Sequence, residues 1–467
     1  MKKMKKIRIM AAGLLLAGTC GAFAIEKVEG EAAGITAEKE DGAELGKSTD
    51  SAELSESNGG AETLSKKYVE EHIVEIRSGT FSSSVADLPE CLSVLKKGSL
   101  ISVAITDKTP DIKALSAALD GYETDLNLSE CTGLKEIPDK AFFMKKNIRS
   151  VTFPVSLEKI GAKSFTRTSL KSVEIPSSVK ELGDFAFAGT NITEASIPSG
   201  IAKYGLSPFA ENKSLKAINA DPGSQILKSE DGVLFTRDGL TLVSYPAGKD
   251  GKSYEVPSSV VSIGTEAFAY NEKISEVKLP PALLRICGYA FKDCRSISEI
   301  ELPETLVSIG QDAFDGTSLS TISIPKATAA LGKNPFTGCK KLSEISVAEG
   351  NLSYRSEDGA LYTNDGTLVR YPPAKNAGDI AIPDGTVEIA PYAFEGTSSM
   401  SSATFAGSTK IIGKYAFKNC KSLKKIEGTE QLVKIGRQAF YGCPVENLPQ
   451  YYVGNVDSYP PSSIDAK

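Results

Sequence analysis

The sequence contains no tryptophan, one histidine and only five methionines, and aromatic residues make up 7% of its 467 positions. With His72 alone in Val69-Glu70-Glu71-His72-Ile73, a histidine-based catalytic triad would have to be centred there. No serine in a G-x-S-x-G context exists to join it. H-E-x-x-H, a phosphate-binding glycine loop and paired C-x-x-C are also missing, so neither a catalytic metal nor a nucleotide is indicated. The expectation is a chain that is not an enzyme and takes no cofactor and no metal. Surface Glu and Asp leave a carboxylate-dependent hydrolase as the remaining catalytic alternative.

Long apolar runs are missing beyond the N-terminus. Met1 to Arg8 carries five basic residues, Ile9 to Ala17 is apolar, and Ala22-Phe23-Ala24 offers small residues where a signal peptidase reads. Residues 1–24 are therefore read as an export signal cleaved after Ala24. Leu16-Ala17-Gly18-Thr19-Cys20 is an imperfect lipobox that would instead end the signal before a lipidated Cys20. Cleavage after Ala24 takes the net charge from −6 to −11, of which Ile25 to Gly60 carries −7. The remainder is close to neutral, which argues against nucleic acid or an anionic membrane as partner. Residues 25–65, rich in Glu, Ala, Gly and Ser, are read as a disordered acidic tether.

What is present is a repeat. Ile286 to Gly310 reads I-C-G-Y-A-F-K-D-C-R-S-I-S-E-I-E-L-P-E-T-L-V-S-I-G, and its closing Ile-Gly opens the next copy. The Ile-Gly step recurs every 22 to 24 residues, which predicts a solenoid of about eleven rungs over 134–449. Each Leu-x-x-Ile-x-Ile alternation predicts a short strand, so the class is mainly β. The rung phenylalanine recurs at Phe142, Phe165, Phe187, Phe209, Phe268, Phe291, Phe314, Phe336, Phe394, Phe417 and Phe440, predicting a stacked core no single rung could bury.

Three residues after that ring stand Thr168, Thr190, Asn212, Asn271, Cys294, Thr317, Cys339, Thr397, Cys420 and Cys443, with Lys145 departing. Small donors at one slot suit buried turn carbonyls. Four of the eight cysteines are thereby structural, and no disulfide framework is indicated; Cys91 with Cys131, or Cys287 with Cys294, would pair only if geometry allows.

Rungs starting at Ile137, Ile160, Leu182 and Tyr204 recur at Ile263, Ile286, Ile309 and Leu331, an offset of 126 or 127 that marks a duplicated block; a third begins at Ile389. Two insertions, about 219–258 and 347–384, repeat with it. Asp238-Gly239 and Asp365-Gly366 each lie between apolar runs and predict β-hairpin tips, which are candidate binding elements. Residues 66–133 are read as a small N-terminal α/β cap and first strand. In it Thr109 would cap a helix that has Ile112, Leu115 and Leu119 on one face. Residues 450–467 are read as a tail, and with no wall-sorting signal or membrane helix there, an anchor is expected at Cys20 or in a partner.

The rung Ile-Gly-x-x-Ala-Phe-x-x-Cys-x-x-Leu-x-x-Ile-x-Leu-Pro-x-x-Leu-x-x-Ile-Gly resembles the BspA-like, or Treponema-type, leucine-rich repeat proteins. The stretches Asp231-Gly232-Val233-Leu234-Phe235 with Tyr245-Pro246, and Leu126 to Leu134, are similar to that family's insertion and first rung. The resemblance, over roughly Asp125 to Pro449, implies a bacterial surface or secreted protein. The family includes adhesins for host fibronectin and fibrinogen and for other microbes, and its binding residues follow no motif. Residues that alternate away from the core form the candidate binding face: Glu174, Glu194, Glu276, Lys278, Glu299, Glu301 and Glu344. The function expected is an exported, monomeric adhesin that binds host or microbial surface proteins and reaches a membrane only through a lipid anchor. The competing class is an envelope scaffold binding other envelope components.

Overall fold

The computed structural model describes residues 63–64, 78–93 and 96–458. The segment read as an export signal, Cys20, most of the acidic segment and His72 lie outside them. The described chain forms two compact units: one runs to Pro280 and includes Asp293–Ile297, and the other holds Pro281–Lys292 and Ser298 onward.

In the first unit, Ser78–Ser83, Leu100–Ile105, Glu123–Asn127 and Ile148–Thr152 pair in parallel in that order. Ser78 faces Leu100 and Leu100 faces Glu123, so the rung spacing already holds in the region read as a cap. The period begins before the first repeated phenylalanine. Here the return path uses the helices Leu88–Ser93 and Ile112–Ala118. The second is capped by Asp111 rather than Thr109: the Asp111 carboxylate accepts from the Lys113 and Ala114 amides at 2.9 and 3.0 Å. Ile112, Leu115 and Leu119 are buried as the period predicts.

Beyond this point most rungs carry strands in two rows, while the stretches 171–175 and 298–302 have no regular strand. Glu194–Ile197 pairs with Ala217–Ala220, and Ser253–Glu255 with Glu276–Lys278, all in parallel. A second row of two-residue strands runs Glu136–Ile137, Lys159–Ile160, Glu181–Leu182, Lys203–Tyr204. Between the rows lies the ring column, with Phe142, Phe165, Phe187 and Phe209 stacked at 5.1, 5.4 and 5.6 Å. The insertion is an antiparallel meander, Leu227–Glu230, Val233–Thr236 and Thr241–Ser244, whose last strand pairs in parallel with Ser262–Ile263. It thus rejoins the second row as a rung, and Tyr245 takes the ring position, 5.0 Å from Phe268.

The second unit repeats the plan. Arg285–Ile286, Ser308–Ile309 and Ala330–Leu331 form one row, and Thr321–Ile324 with Glu344–Val347 the other. The meander Tyr354–Glu357, Ala360–Thr363, Thr367–Arg370 leads into Glu388–Ile389, Ile411–Ile412 and Lys434–Ile435. Tyr371 stacks on Phe394 at 5.0 Å, as Tyr245 does on its neighbour. The stretch after Pro449 folds back: Ser458 bridges Ile435, Asp457 pairs with Lys434 at 2.7 Å, and Tyr452 sets its edge on Phe440. The last strand edge is covered by the chain itself.

Two local requirements hold each rung. A Cβ on Gly161 would stand 2.6 Å from the Asp139 amide of the preceding rung, so the Ile-Gly step records a close backbone approach. In all eleven phenylalanine rungs the residue two places before the ring has positive φ, from Lys140 at 57° to Gln438 at 53°, and none is glycine. That turn lets alternate amides point one way. Lys163, Phe165 and Arg167 donate to the Asp184, Ala186 and Ala188 carbonyls, each at 2.8 Å. Inter-rung bonding of this kind offsets the cost of a backbone region that side chains rarely adopt.

Candidate protein-binding face

In nine of the eleven phenylalanine rungs the slot three residues after the ring donates to a backbone carbonyl, the exceptions being Lys145 and Thr397. Thr168, Thr190 and Thr317 hydroxyls donate to the carbonyls of Phe165, Phe187 and Phe314 at 2.9, 3.0 and 2.9 Å. Cys294, Cys339, Cys420 and Cys443 thiols reach the preceding rung instead, donating to Phe268, Phe314, Phe394 and Phe417 at 3.0, 3.1, 3.1 and 2.8 Å. Asn212 and Asn271 amides do the same toward Phe187 and Pro246. No described cysteine is in a disulfide, Cys91, Cys131 and Cys287 included. Burial pushes the Cys131 and Cys339 thiols up to about 11, which makes them inert at neutral pH.

The chemistry available to a partner therefore lies on the strand rows. In the first unit Glu194, Glu276 and Lys278 project from strands whose alternate residues are buried, and Glu174 is exposed just before buried Ile175. Lys278 is engaged with Glu255 of the paired strand at 3.0 Å. Glu299, Glu301 and Glu344 are exposed in the second unit. All seven candidate face residues are exposed; Glu194, Glu276, Lys278 and Glu344 stand on strands, whereas Glu174, Glu299 and Glu301 lie in stretches without regular strand, although the alternation predicted one there. None of them lines the 430 Å³ cavity beside helix Ile112–Ala118 or the 190 Å³ cavity under the second meander.

The meanders meet the strand rows through turns that the sequence reading did not select. The Ile218 and Ile345 amides, at the end of a strand pair in their respective units, donate to Gly232 and Gly359 at 2.9 and 2.8 Å. A Cβ on Gly359 would lie 3.3 Å from Cγ of Glu344. Asp231-Gly232 and Asp358-Gly359 therefore sit where the next strand would come, and the face is divided into short sheets. Both turns are pinned by lysine: Lys249 reaches Asp231 at 3.0 Å and Lys375 reaches Asp358 at 2.6 Å. A second Asp-Gly pair visible in each insertion was the available signal.

The proposed tips lie on the other row. Asp238-Gly239 precedes the strand that pairs with Ser262–Ile263, and Asp365-Gly366 the one that pairs with Glu388–Ile389. Their carboxylates are engaged within the turn. Asp238 accepts from the Thr236 hydroxyl at 2.6 Å and the Leu240 amide at 2.9 Å, and these bonds hold it below the usual carboxylate range. Asp365 accepts from Thr363 in the same way. The structure does not bring tips and glutamate rows together. Among the described residues no cluster of three or more His, Cys, Asp or Glu could hold a metal ion, and no helix is long and apolar enough to cross a membrane.

Comparison with known proteins agrees with this architecture. Six copies of the BspA type leucine rich repeat region match residues 135–247, 251–362 and 374–455. No curated protein matches the chain. A leucine-rich repeat protein from Eubacterium ventriosum shares the fold at TM-score 0.51 and 20% identity, over 82% of this chain and 96% of its own. The pneumococcal vaccine antigen PcpA does so at TM-score 0.50 and 21% identity, over 75% and 79%. With the repeat model covering more than half of its length and the ring column, slot ladder and parallel rows in place, the chain belongs to the BspA-type leucine-rich repeat family.

Proposed function

We propose that this chain is an exported, non-catalytic protein-binding repeat protein that acts as a bacterial cell-surface adhesin toward host or microbial surface proteins. The observation that carries the reading is the outward projection of polar side chains, Glu194 and Glu276 in one unit and Glu344 in the other, from strands whose Ala195, Val277 and Ile345 are buried, with Glu299 and Glu301 exposed in a stretch without regular strand. Such rows offer regularly spaced hydrogen-bonding groups about 4.8 Å apart. They are shallow, which favours a protein segment over a small molecule. Membership of the repeat family supports protein binding. That a protein of the same fold is described as a vaccine antigen supports display outside the cell.

The test combines protease shaving of intact cells with a binding screen. An adhesin is cut from outside, and the purified chain binds at least one of immobilised fibronectin, fibrinogen or whole microbial cells. Protection from protease, with binding only to envelope fractions of the producing cell, overturns the adhesin reading in favour of an envelope scaffold. Reversing Glu276, Glu299 and Glu301 to lysine together should preserve the circular dichroism spectrum and weaken partner binding at least tenfold, about 1.4 kcal/mol. Unchanged affinity would move the site to the meander turns. Intact mass of the mature protein separates a start at Ile25 from an acylated Cys20.

A further inference from the structure

Two slot cysteines occupy the same position on neighbouring rungs. Cys420 follows Phe417 by three residues and Cys443 follows Phe440 by three, and the two rings stack at 5.1 Å. The carbonyls that their thiols meet, on Phe394 and Phe417, belong to rings stacked at 4.8 Å. The two residues are therefore displaced by one strand spacing, about 4.8 Å, inside the Cα separation of roughly 4.4 to 6.8 Å that a disulfide spans. Cys294 and Cys339 have the Thr317 rung between them, so they lack this relation. Cys420 is buried and Cys443 half-exposed, which gives the pair an inside and an outside member.

We propose that Cys420 and Cys443 form a reversible disulfide between the last two phenylalanine rungs, with Cys443 as the point of attack for a small-molecule disulfide. With oxidised glutathione, the Cys443 thiolate attacks one glutathione sulfur, the S–S bond breaks, and one reduced glutathione leaves. Cys420 then gives its proton to solvent and attacks the Cys443 sulfur, expelling the second glutathione. Two protein thiols are oxidised and one glutathione disulfide is reduced. The environment suits this order. Contact with Cys420 lowers the Cys443 pKa, whereas burial, and after it the same contact, raises that of Cys420.

The bond would staple a terminal rung, which has a rung neighbour on one side only. It also removes both thiol donors from the Phe394 and Phe417 carbonyls, so the ladder opposes it and keeps it open to reduction.

The test uses the full reduced chain with oxidised glutathione at mildly alkaline pH, followed by thiol counting, intact mass and non-reducing peptide mapping. The expected product has lost two thiols and about 2 Da, yields a linked Cys420–Cys443 peptide, and shows amide exchange over 435–458 slowed roughly tenfold. Threonine already fills the slot at Thr317 and Thr397, so the single threonine variants keep a donor there. Cys443→Thr should leave Cys420 reduced, and Cys420→Thr should stop at a glutathione adduct on Cys443. A wild-type chain of native circular dichroism that keeps both thiols, or accumulates the Cys443 adduct without closing, overturns the proposal.

Discussion

Replacing Phe165 by alanine tests the stacked-core account at its centre. The ring is fully buried and stacks between Phe142 at 5.1 Å and Phe187 at 5.4 Å, with the edge of Phe153 at 5.6 Å. Truncating a buried phenylalanine costs about 3 to 5 kcal/mol, and the spread reflects how far the surroundings can collapse. Here collapse is opposed. The Phe165 amide is held by Ala186 at 2.8 Å and the Phe142 amide by the Ser164 carbonyl at 2.7 Å, which fixes the rung spacing on both sides. The expectation is therefore the upper part of that range, and about half as much for Phe165→Leu, which retains most of the apolar volume. The chain has no tryptophan, so the assay is urea unfolding followed by far-ultraviolet circular dichroism, with hydrogen exchange to locate the loss. In a nearest-neighbour array, protection should fall first between about Phe142 and Phe209 and last in remote rungs. An unchanged urea midpoint would refute the stacking argument. Protection lost evenly along the chain would refute its one-dimensional character.

Further outcomes follow from other parts of the molecule. Ending the chain at Pro449 removes the Ser458 bridge to Ile435 and the Tyr452 contact with Phe440. The exposed edge should then produce concentration-dependent association, measurable by light scattering. Asp312→Asn should raise the urea midpoint at neutral pH. Burial raises the folded pKa of Asp312 above its unfolded value, so the folded state binds the proton more tightly and the charged form opposes folding once pH rises above the unfolded pKa. The gain should fade on acidification through that folded pKa, and a midpoint difference that does not change with pH would contradict the assignment. Asparagine suits the backbone, because Asn334 stands one rung on with φ 53° against 48° at Asp312.

The sequence by itself determined whatever depends on the period. Nearest-neighbour stacking makes equivalent positions meet equivalent surroundings, so a column of phenylalanines implied a ring stack and a column of Thr, Asn and Cys implied a donor ladder. The outward direction of Glu276 and Glu344 followed from strand alternation alone.

Tertiary structure decided the places where one role is filled by a different residue type. Tyr245 and Tyr371 continue the ring column. The strands from Ser78 to Asn127 keep rung spacing without any repeated phenylalanine, because helices carry the return path there. The positive-φ position is equally hidden, since Lys163, Phe185, Asp312 and Gln438 share a backbone conformation and no side-chain property. Arg370 is the sharpest case. It stands in its meander strand where Ser244 stands in the duplicated block. The residue is nonetheless buried, 4% exposed, and its guanidinium donates to the Tyr392 and Glu395 carbonyls at 2.6 and 3.3 Å. A pattern of residue types reports which face a side chain takes. Whether a long charged side chain reaches water or turns inward to orphaned carbonyls depends on what the neighbouring rungs leave unpaired, and that is fixed only when they are stacked.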